Sequence, residues 1–364
     1  MGIIKRAAGN IALLILVFVA IFILFEGTSS LVLFIRDIAC NAKPPLADRL
    51  YTRYDSLLGW KSIPNTHIAD MFGPGNDVTI NSGSIRADKE YSKEIPSGKK
   101  RIICSGDSFT FGYGVANNDT WPSLMEKIDP GLEIINMGQC GYGIDQSYLW
   151  YEEDGVKYDH DIHIFAFITD DIRRTQWKTF QRYGKPVLRL VNNELAVENV
   201  PVPKKWYSFP WLSRNLWIMW ELRSFKLLKD IHRHFFPKTD AIKKASVTIY
   251  DTPESAEGMV LKLFEELDKI GNSKLYVVYL PVYQDVNGSG SDVWRALLKD
   301  KLASYGITFI DLVPPLRNLS KEEIDKFFLK PGVLSFAYSE GHYTGTGNQY
   351  IAGWIYDIVT KSLK

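Results

Sequence analysis

The sequence predicts an α/β protein: a three-layer α/β/α sandwich around a five-stranded parallel sheet, plus an N-terminal transmembrane helix. Three observations lead to this prediction. Strand-like and helix-like segments alternate after about residue 100, polar turns follow the strands, and an uncharged apolar run lies near the N-terminus. Strands that alternate with helices form parallel sheets covered on both faces. We expect a flavodoxin-like arrangement, with ligands bound at the carboxyl ends of the strands.

The N-terminal run of residues 7–25 is long enough to span a bilayer, which takes about 20 apolar residues. Lys5 and Arg6 precede the run and Glu26 follows it, so the positive charge predicts a cytoplasmic N-terminus. We therefore expect a single-pass protein of the cell membrane, anchored in the lipid bilayer, with the rest of the chain periplasmic or extracellular. A cleaved signal peptide is the alternative, but the following residues offer no clear A-x-A site. Residues 30–38 could extend the helix or lie in the interface.

We predict three regions: an anchor over 1–40, a connector and strand-containing lead-in over 41–98, and one large domain over 99–364. Within the domain, an insertion at about 175–250 interrupts the alternation of strands and helices. The predicted strands cover 102–104, 133–136, 163–168, 275–280 and 308–310, and the predicted helices cover 121–128, 146–154, 255–270, 292–305 and 347–363.

The insertion has two parts. Residues 185–202 alternate around Asn192-Asn193, which is typical of a β-hairpin. Residues 206–236 combine tryptophans with basic residues and are typical of an amphipathic helix. This helix either packs on the domain, which we favour slightly, or faces the membrane as a lid.

Composition and cysteine spacing limit the possible functions. The 364 residues are 46% hydrophobic and 23% charged with a net charge of +1, so no nucleic-acid partner is indicated. Neither a P-loop nor a dinucleotide-binding fingerprint is present, and we predict no cofactor and no metal. Cys40, Cys104 and Cys140 lack metal-binding spacing. A Cys104–Cys140 bridge is possible, but two small buried thiols are the favoured interpretation.

The segment SGDSFTFG, residues 105–112, directly follows an apolar strand and contains the best candidate nucleophile, Ser108. Such a turn places the serine at the carboxyl end of the strand and near the start of the next helix, whose dipole favours developing negative charge. A serine in this position is often only a helix cap, so the turn alone is a modest signal.

The wider motif, GDSFTFGYG, resembles the first block of the SGNH/GDSL hydrolase superfamily, and three further blocks follow in order. The resemblance covers about residues 100–357 apart from the insertion. It implies a serine hydrolase with Ser108 as nucleophile and as one oxyanion donor through its amide. The second block implies a glycine amide as another donor, and Gly141 in residues 135–143 matches best, with Gly138 as the fallback. Glycine would let the main chain approach a substrate carbonyl closely.

The third block departs from the family pattern. The third strand ends at residues 167–171, FITDD, and Asp170 stands where the family has an asparagine that donates to the oxyanion. An ionised aspartate only accepts hydrogen bonds and would repel an oxyanion. Either Asp170 is protonated, or the hole relies on the Ser108 and Gly141 amides, or activity is weak. A pairing of Asp170 with the arginines at 173–174 is a further alternative.

The last block is a loop before the C-terminal helix, residues 338–348, and it contains His342. The resemblance implies that His342 is the general base. Ser339 occupies the position of the expected acid, three residues before the histidine, and Glu340 is the candidate to orient the imidazole instead.

These residues predict acyl transfer on an ester-bearing substrate. Membrane-anchored proteins of this resemblance act on acetyl groups of envelope polysaccharides, so we expect a carbohydrate O-acetylesterase. An O-acetyltransferase on the same class of glycan is the close alternative, and a lipase at the bilayer surface is a third. A non-catalytic glycan-binding envelope protein that kept the fold is the alternative from another class, favoured by Asp170 and Ser339.

Overall fold

The computed structural model describes residues 2–39, 50–181, 183–204, 253–334 and 339–362, together with isolated helical positions between 224 and 235. Its contacts divide the chain into two compact units. One comprises residues 1–50 and 204–248, and the other comprises residues 51–203 and 249–364. The predicted boundary at residue 98 therefore lies inside the second unit. The limits of the three predicted regions stay predictions.

The first unit contains the helix α1 (Gly2–Ala39). Its stretch Gly9–Val32 is long and apolar enough to cross a membrane, with a mean hydropathy of 2.7 in its most apolar window. The helix continues through residues 30–38, so this segment extends α1, one of the two predicted possibilities. The amphipathic helix predicted at 206–236 lies largely outside the described residues.

The second unit contains the remaining described elements. Its strands are β1 (Thr52–Asp55), β2 (Gly59–Ser62), β3 (Thr66–Ile68), β4 (Val78–Ile80), β5 (Lys100–Gly106), β6 (Leu132–Gly138), β7 (Ile162–Phe167), β8 (Thr179–Phe180), β9 (Tyr183–Gly184), β10 (Val187–Val191), β11 (Glu194–Glu198), β12 (Lys274–Tyr279) and β13 (Thr308–Asp311). Its helices are α2 (Ser108–Phe111), α3 (Trp121–Ile128), α4 (Ile144–Glu153), α5 (Thr169–Arg174), α6 (Pro253–Ile270), α7 (Asp292–Ser304), α8 (Val313–Arg317), α9 (Lys321–Phe327) and α10 (Gly345–Val359).

The central sheet has five parallel strands in the order β13-β12-β7-β5-β6. Numbered along the chain, this is the order 2-1-3-4-5 of flavodoxin-like sheets. The predicted fold class is confirmed. All five predicted strands are present, and most are longer than predicted because the hydrogen-bond ladder continues into polar residues such as Lys100.

The two faces of the sheet bury different side chains because successive residues of a strand point to opposite sides. On one face, Cys104, Ile164 and Val278 form an apolar cluster with Trp121 of α3 and Ile351 of α10. The opposite face packs on α4 and α6. There the ring of Phe264 lies 5.5 Å from that of Phe165 and 5.9 Å from that of Phe167. Helices thus cover both faces, as in a three-layer sandwich.

The predicted lead-in segment packs on the loop that follows β6. Trp60 is fully buried, and its indole N–H donates to the carbonyl of Cys140 at 2.9 Å. The Tyr142 hydroxyl donates to the Trp60 carbonyl at 2.6 Å, and the Ser62 hydroxyl donates to Gln139 Oε1 at 2.7 Å. The lead-in therefore supports the loop that contains the candidate oxyanion glycine.

The predicted hairpin is present in the insertion. Strands β10 and β11 pair antiparallel, and Asn192 and Asn193 connect them with positive φ angles of 51° and 65°. A type I′ turn requires two successive residues in the left-handed conformation, and asparagine tolerates that conformation. Elsewhere in the unit, Cys104 and Cys140 are buried free thiols, which confirms the favoured interpretation over a disulfide bridge.

Candidate active site

The candidate nucleophile lies where β5 turns into α2. A Cβ on Gly106 would lie 2.5 Å from the carbonyl oxygen of Ala166, so glycine is required for this close approach of β5 to β7. The Asp107 carboxylate then caps α2 by accepting from the N–H of Phe109 at 2.9 Å. The turn presents Ser108 at the carboxyl end of β5 with 9% of the residue exposed.

The loop before α10 brings His342 to this serine. His342 Nε2 lies 2.8 Å from Ser108 Oγ, although the two residues are 234 positions apart in the chain. This is hydrogen-bond distance for a serine and a base that takes its proton. The structure therefore brings together the two residues that the sequence predicts as nucleophile and base.

The other imidazole nitrogen faces the main chain. His342 Nδ1 lies 3.3 Å from the carbonyl oxygen of Ser339, and the His342 N–H donates to the same oxygen at 3.2 Å. Glu340 is exposed, and within the described part of the chain its carboxylate makes no hydrogen bond to the imidazole. The tight turn from Ser339 to His342 places a carbonyl where the sequence suggested a carboxylate.

Aromatic rings enclose the imidazole. The ring of Phe109 stacks on that of His342 at 4.6 Å between centroids, and the ring of Tyr113 lies 5.1 Å away. Tyr343 contacts the Phe109 ring edge-on and donates its hydroxyl proton to the carbonyl of Pro281. Sequence reasoning missed this enclosure, although Phe109 and Tyr113 belong to the same GDSFTFGYG motif as the serine.

The two candidate glycines differ in role. A Cβ on Gly138 would lie 2.1 Å from the amide nitrogen of Phe111, so Gly138 lets α2 pack on β6. Gly141 has a φ of +81°, which only glycine adopts readily. Among the described residues, the N–H groups of Ser108 and Gly141 have no hydrogen-bond acceptor. These two amides are therefore available to a ligand, and Gly138 serves packing.

Asp170 pairs with an arginine. Its Oδ2 accepts from Arg174 Nη2 at 3.1 Å, and its side chain is 46% exposed. Of the predicted alternatives, the structure thus shows the ion pair with a nearby arginine.

A buried ionic cluster lies behind the serine. Arg174 Nη1 donates to Asp171 Oδ1 at 2.8 Å and lies 3.7 Å from Asp107 Oδ2, which is itself 3.4 Å from Ser108 Oγ. Burial and the neighbouring Asp107 raise the pKa of Asp171 well above its usual range. Burial also raises the pKa of Asp107, while the guanidinium opposes that rise. Sequence reasoning did not find this cluster, because two of its members lie in motifs that were assigned to the serine and the oxyanion.

Comparisons with known proteins find similar proteins among the solved structures. No protein-family model matches the chain, and no curated protein matches its sequence. The chain is similar to a member of the lipolytic protein G-D-S-L family from Veillonella parvula, with 16% identity, 72% of this chain and 98% of that chain covered, and a TM-score of 0.36. It is similar to the lipase/acylhydrolase from Enterococcus faecalis, with 12% identity, 72% and 96% covered, and a TM-score of 0.38. It is also similar to an acetyl xylan esterase, AlAXEase, with 15% identity, 71% and 99% covered, and a TM-score of 0.40.

The fold and the candidate site agree with the resemblance that the sequence motifs carry. In the 2-1-3-4-5 parallel sheet, a serine at the carboxyl end of β5 lies within hydrogen-bond distance of a histidine from the loop before α10. These are the fold and the residue pair that a resemblance to SGNH hydrolases predicts.

Proposed function

We propose that the chain is a serine esterase that forms an acyl-enzyme on Ser108. Ser108 Oγ attacks the ester carbonyl while His342 Nε2 takes its proton, and the same proton then passes to the departing alcohol. Water, deprotonated by His342, attacks the acyl-enzyme and releases the acid. The observation that carries this proposal is the 2.8 Å contact between Ser108 Oγ and His342 Nε2.

The proposed catalytic set is a dyad supported by the main chain. The Ser339 carbonyl would accept the Nδ1 proton and fix the tautomer in which Nε2 is free to act as base. The Ser108 and Gly141 amides would bind the oxyanion, since neither has an acceptor among the described residues. Glu340 has no part in this proposal, because it is exposed and, among the described residues, its carboxylate makes no hydrogen bond to the imidazole.

For the substrate, we propose an acetyl ester of an envelope carbohydrate. Trp177 is 41% exposed, and its ring lies parallel to that of Phe180, with 7° between the planes and 6.2 Å between centroids. The Phe180 ring in turn lies 4.8 Å from the guanidinium carbon of Arg174, in the cluster behind Ser108. An exposed aromatic side chain linked to this cluster suits the apolar face of a sugar ring. Transfer of the acetyl group to a sugar hydroxyl in place of water is the alternative outcome of the same acyl-enzyme.

The location that we propose is the outer side of the cell membrane, with α1 as the anchor. Lys5 and Arg6 precede the apolar stretch, and positive residues stay on the cytoplasmic side. An alkaline phosphatase fused after residue 50 should be active, and a cytoplasmic reporter fused there should not. Activity of the cytoplasmic reporter alone would contradict the proposed orientation.

A fluorophosphonate probe tests the esterase, and a pair of substrates tests the glycan. Wild-type protein should be labelled and Ser108→Ala should not, and labelling that persists in Ser108→Ala rules out this nucleophile. Trp177→Ala should raise KM for acetylated xylo-oligosaccharides about tenfold, because one stacked ring is lost, and leave KM for p-nitrophenyl acetate unchanged. Tyr305→Ala removes an equally exposed ring at the end of α7 and should change neither. Analysis of the products, free acetate or acetylated acceptor, distinguishes hydrolysis from transfer.

A further inference from the structure

Arg174 lies at the centre of the buried ionic cluster behind Ser108. Arg174 is 8% exposed, and the Phe180 ring lies over its guanidinium at 4.8 Å. The guanidinium is therefore enclosed in a site of low dielectric, where its contacts are strong and an unpaired neighbour is costly.

The guanidinium contacts two segments whose relative position matters for the proposed reaction. Nη1 donates to the carbonyl of Tyr142 at 2.8 Å, which is the residue directly after Gly141. The same nitrogen lies 3.7 Å from Asp107 Oδ2, the carboxylate directly before Ser108. One planar group thus holds the turn that presents the nucleophile and the loop that presents the second amide.

Arg174 also balances the charge behind the nucleophile. Asp107 and Asp171 are each 1% exposed, and both carboxylates face Arg174 Nη1, at 3.7 and 2.8 Å. Burial raises the pKa of both carboxyl groups, and the guanidinium opposes the rise in each. The half-exposed Asp170 pairs with Nη2 of the same guanidinium.

We infer that Arg174 is a positioning residue: it sets the Ser108 turn against the Gly141 loop and neutralises the aspartates, so that an oxyanion can form between the two amides. This inference rests on the proposed esterase. It also accounts for the aspartate at position 170. A neutral donor there would leave the outer edge of the guanidinium without its anion, whereas the carboxylate completes it.

Arginine and lysine are expected to differ at this position. The planar guanidinium donates hydrogen bonds to Tyr142, Asp171 and Asp170 simultaneously. An ammonium is a single point of charge on a flexible chain. Arg174→Lys therefore keeps the charge but loses part of the fixed position of the Ser108 turn against the Gly141 loop. Arg174→Gln loses both.

The test measures kcat per active site titrated with a fluorophosphonate, so that unfolded protein does not contribute. With p-nitrophenyl acetate, Arg174→Gln should lower kcat about a hundredfold and leave KM within about twofold, the pattern of a lost interaction in the transition state. Arg174→Lys should lower kcat about tenfold. Arg173→Gln is the matched control, because Arg173 is the exposed neighbour, and its kcat should equal that of the wild type.

A kcat per titrated site within threefold of the wild type in Arg174→Gln overturns the inference, because a residue with only a structural role changes the number of sites and not their turnover. If Arg174→Gln does not fold, a wild-type kcat in Arg174→Lys has the same meaning, since charge alone would then suffice. Failure of the esterase proposal is recognised separately, because the wild-type protein itself would then neither react with the probe nor turn over the ester.

Discussion

Ser108 lies in a segment, residues 101–115, in which every residue is buried, whereas His342 is half-buried in a loop beside the exposed Glu340. The serine turn is fixed by polar groups: Asp107 caps its helix, and Arg174 and Asp171 lie behind it. The histidine is fixed by shape, through the stacked ring of Phe109, the tilted ring of Tyr113 and a main-chain carbonyl at Nδ1.

The difference indicates how the Ser108 turn and the His342 loop should each respond to substitution. A buried ionic cluster responds steeply to a change of charge, because each charge depends on the others for compensation. A base held by ring contacts and main chain responds to a change of volume and is indifferent to exposed charge. The following predictions test this contrast, from the largest expected effect to the smallest.

The largest effect is expected from the two residues that meet. Ser108→Ala and His342→Ala should each lower kcat/KM for p-nitrophenyl acetate by a factor on the order of 10⁴ or more, and the double variant should be no worse than either. Residues that act as one unit lose their function when either is removed. A clearly additive loss in the double variant would show that the two act independently.

On the histidine side, shape should matter more than charge. Phe109→Leu keeps an apolar side chain and removes the ring that stacks on the imidazole, so we expect kcat to fall about tenfold through loss of orientation. Glu340→Gln should stay within about twofold of the wild type, because the carboxylate is exposed and makes no hydrogen bond to the ring among the described residues. The reverse order, with Glu340→Gln the more harmful, would restore Glu340 as the third member of a triad.

Below the serine, a buried histidine should make stability depend on pH. His163 is 1% exposed, its Nε2 lies 2.9 Å from Ser105 Oγ on β5, and burial lowers the pKa of its imidazole well below the ordinary value. The folded state holds the ring neutral, so its contribution is present above the unfolded pKa of about 6.5 and is lost as pH falls below it. One such group costs about 1.4 kcal/mol at pH 5.5.

Urea unfolding at pH 7.5 and pH 5.5 checks this expectation. His163→Gln cannot gain the proton, so it should lose less stability than the wild type between the two pH values, by about 1.4 kcal/mol. His67→Gln is the control, because His67 is exposed, with 58% of its side chain accessible. Equal pH dependence in the wild type and His163→Gln would show that the buried ring is not the acid-sensitive group.

The smallest effect is expected at Asp170. Its carboxylate is half-exposed and lies on the outer edge of the Arg174 guanidinium, so Asp170→Asn should change kcat less than threefold. The ratio of variant to wild-type kcat should stay constant from pH 6 to pH 9. A gain in activity that grows with pH would instead indicate that Asp170 faces the oxyanion and must be protonated to donate.

The sequence predicted the elements that follow from periodicity and the residues that follow from motifs. The alternation of strands and helices predicted the fold class, the asparagine pair predicted the hairpin, and the ordered blocks predicted that Ser108 and His342 belong to one site. Contacts that depend on which way a turn directs its side chains were not predictable. Ser339 enters through its carbonyl, which every residue has, so its side chain gave no signal. Arg174 lies in a helix next to a similar arginine, and only the packing buries one of them.

The separation of 234 positions between Ser108 and His342 bears on how the protein comes into being. During synthesis the serine emerges from the ribosome well before the histidine that we propose as its base. Under the proposed mechanism, a nascent chain, or one shortened before residue 342, would lack the base that activates the serine. Turnover would then begin only after the loop before α10 has reached the Ser108 turn, so activity would report that these two distant segments have folded together.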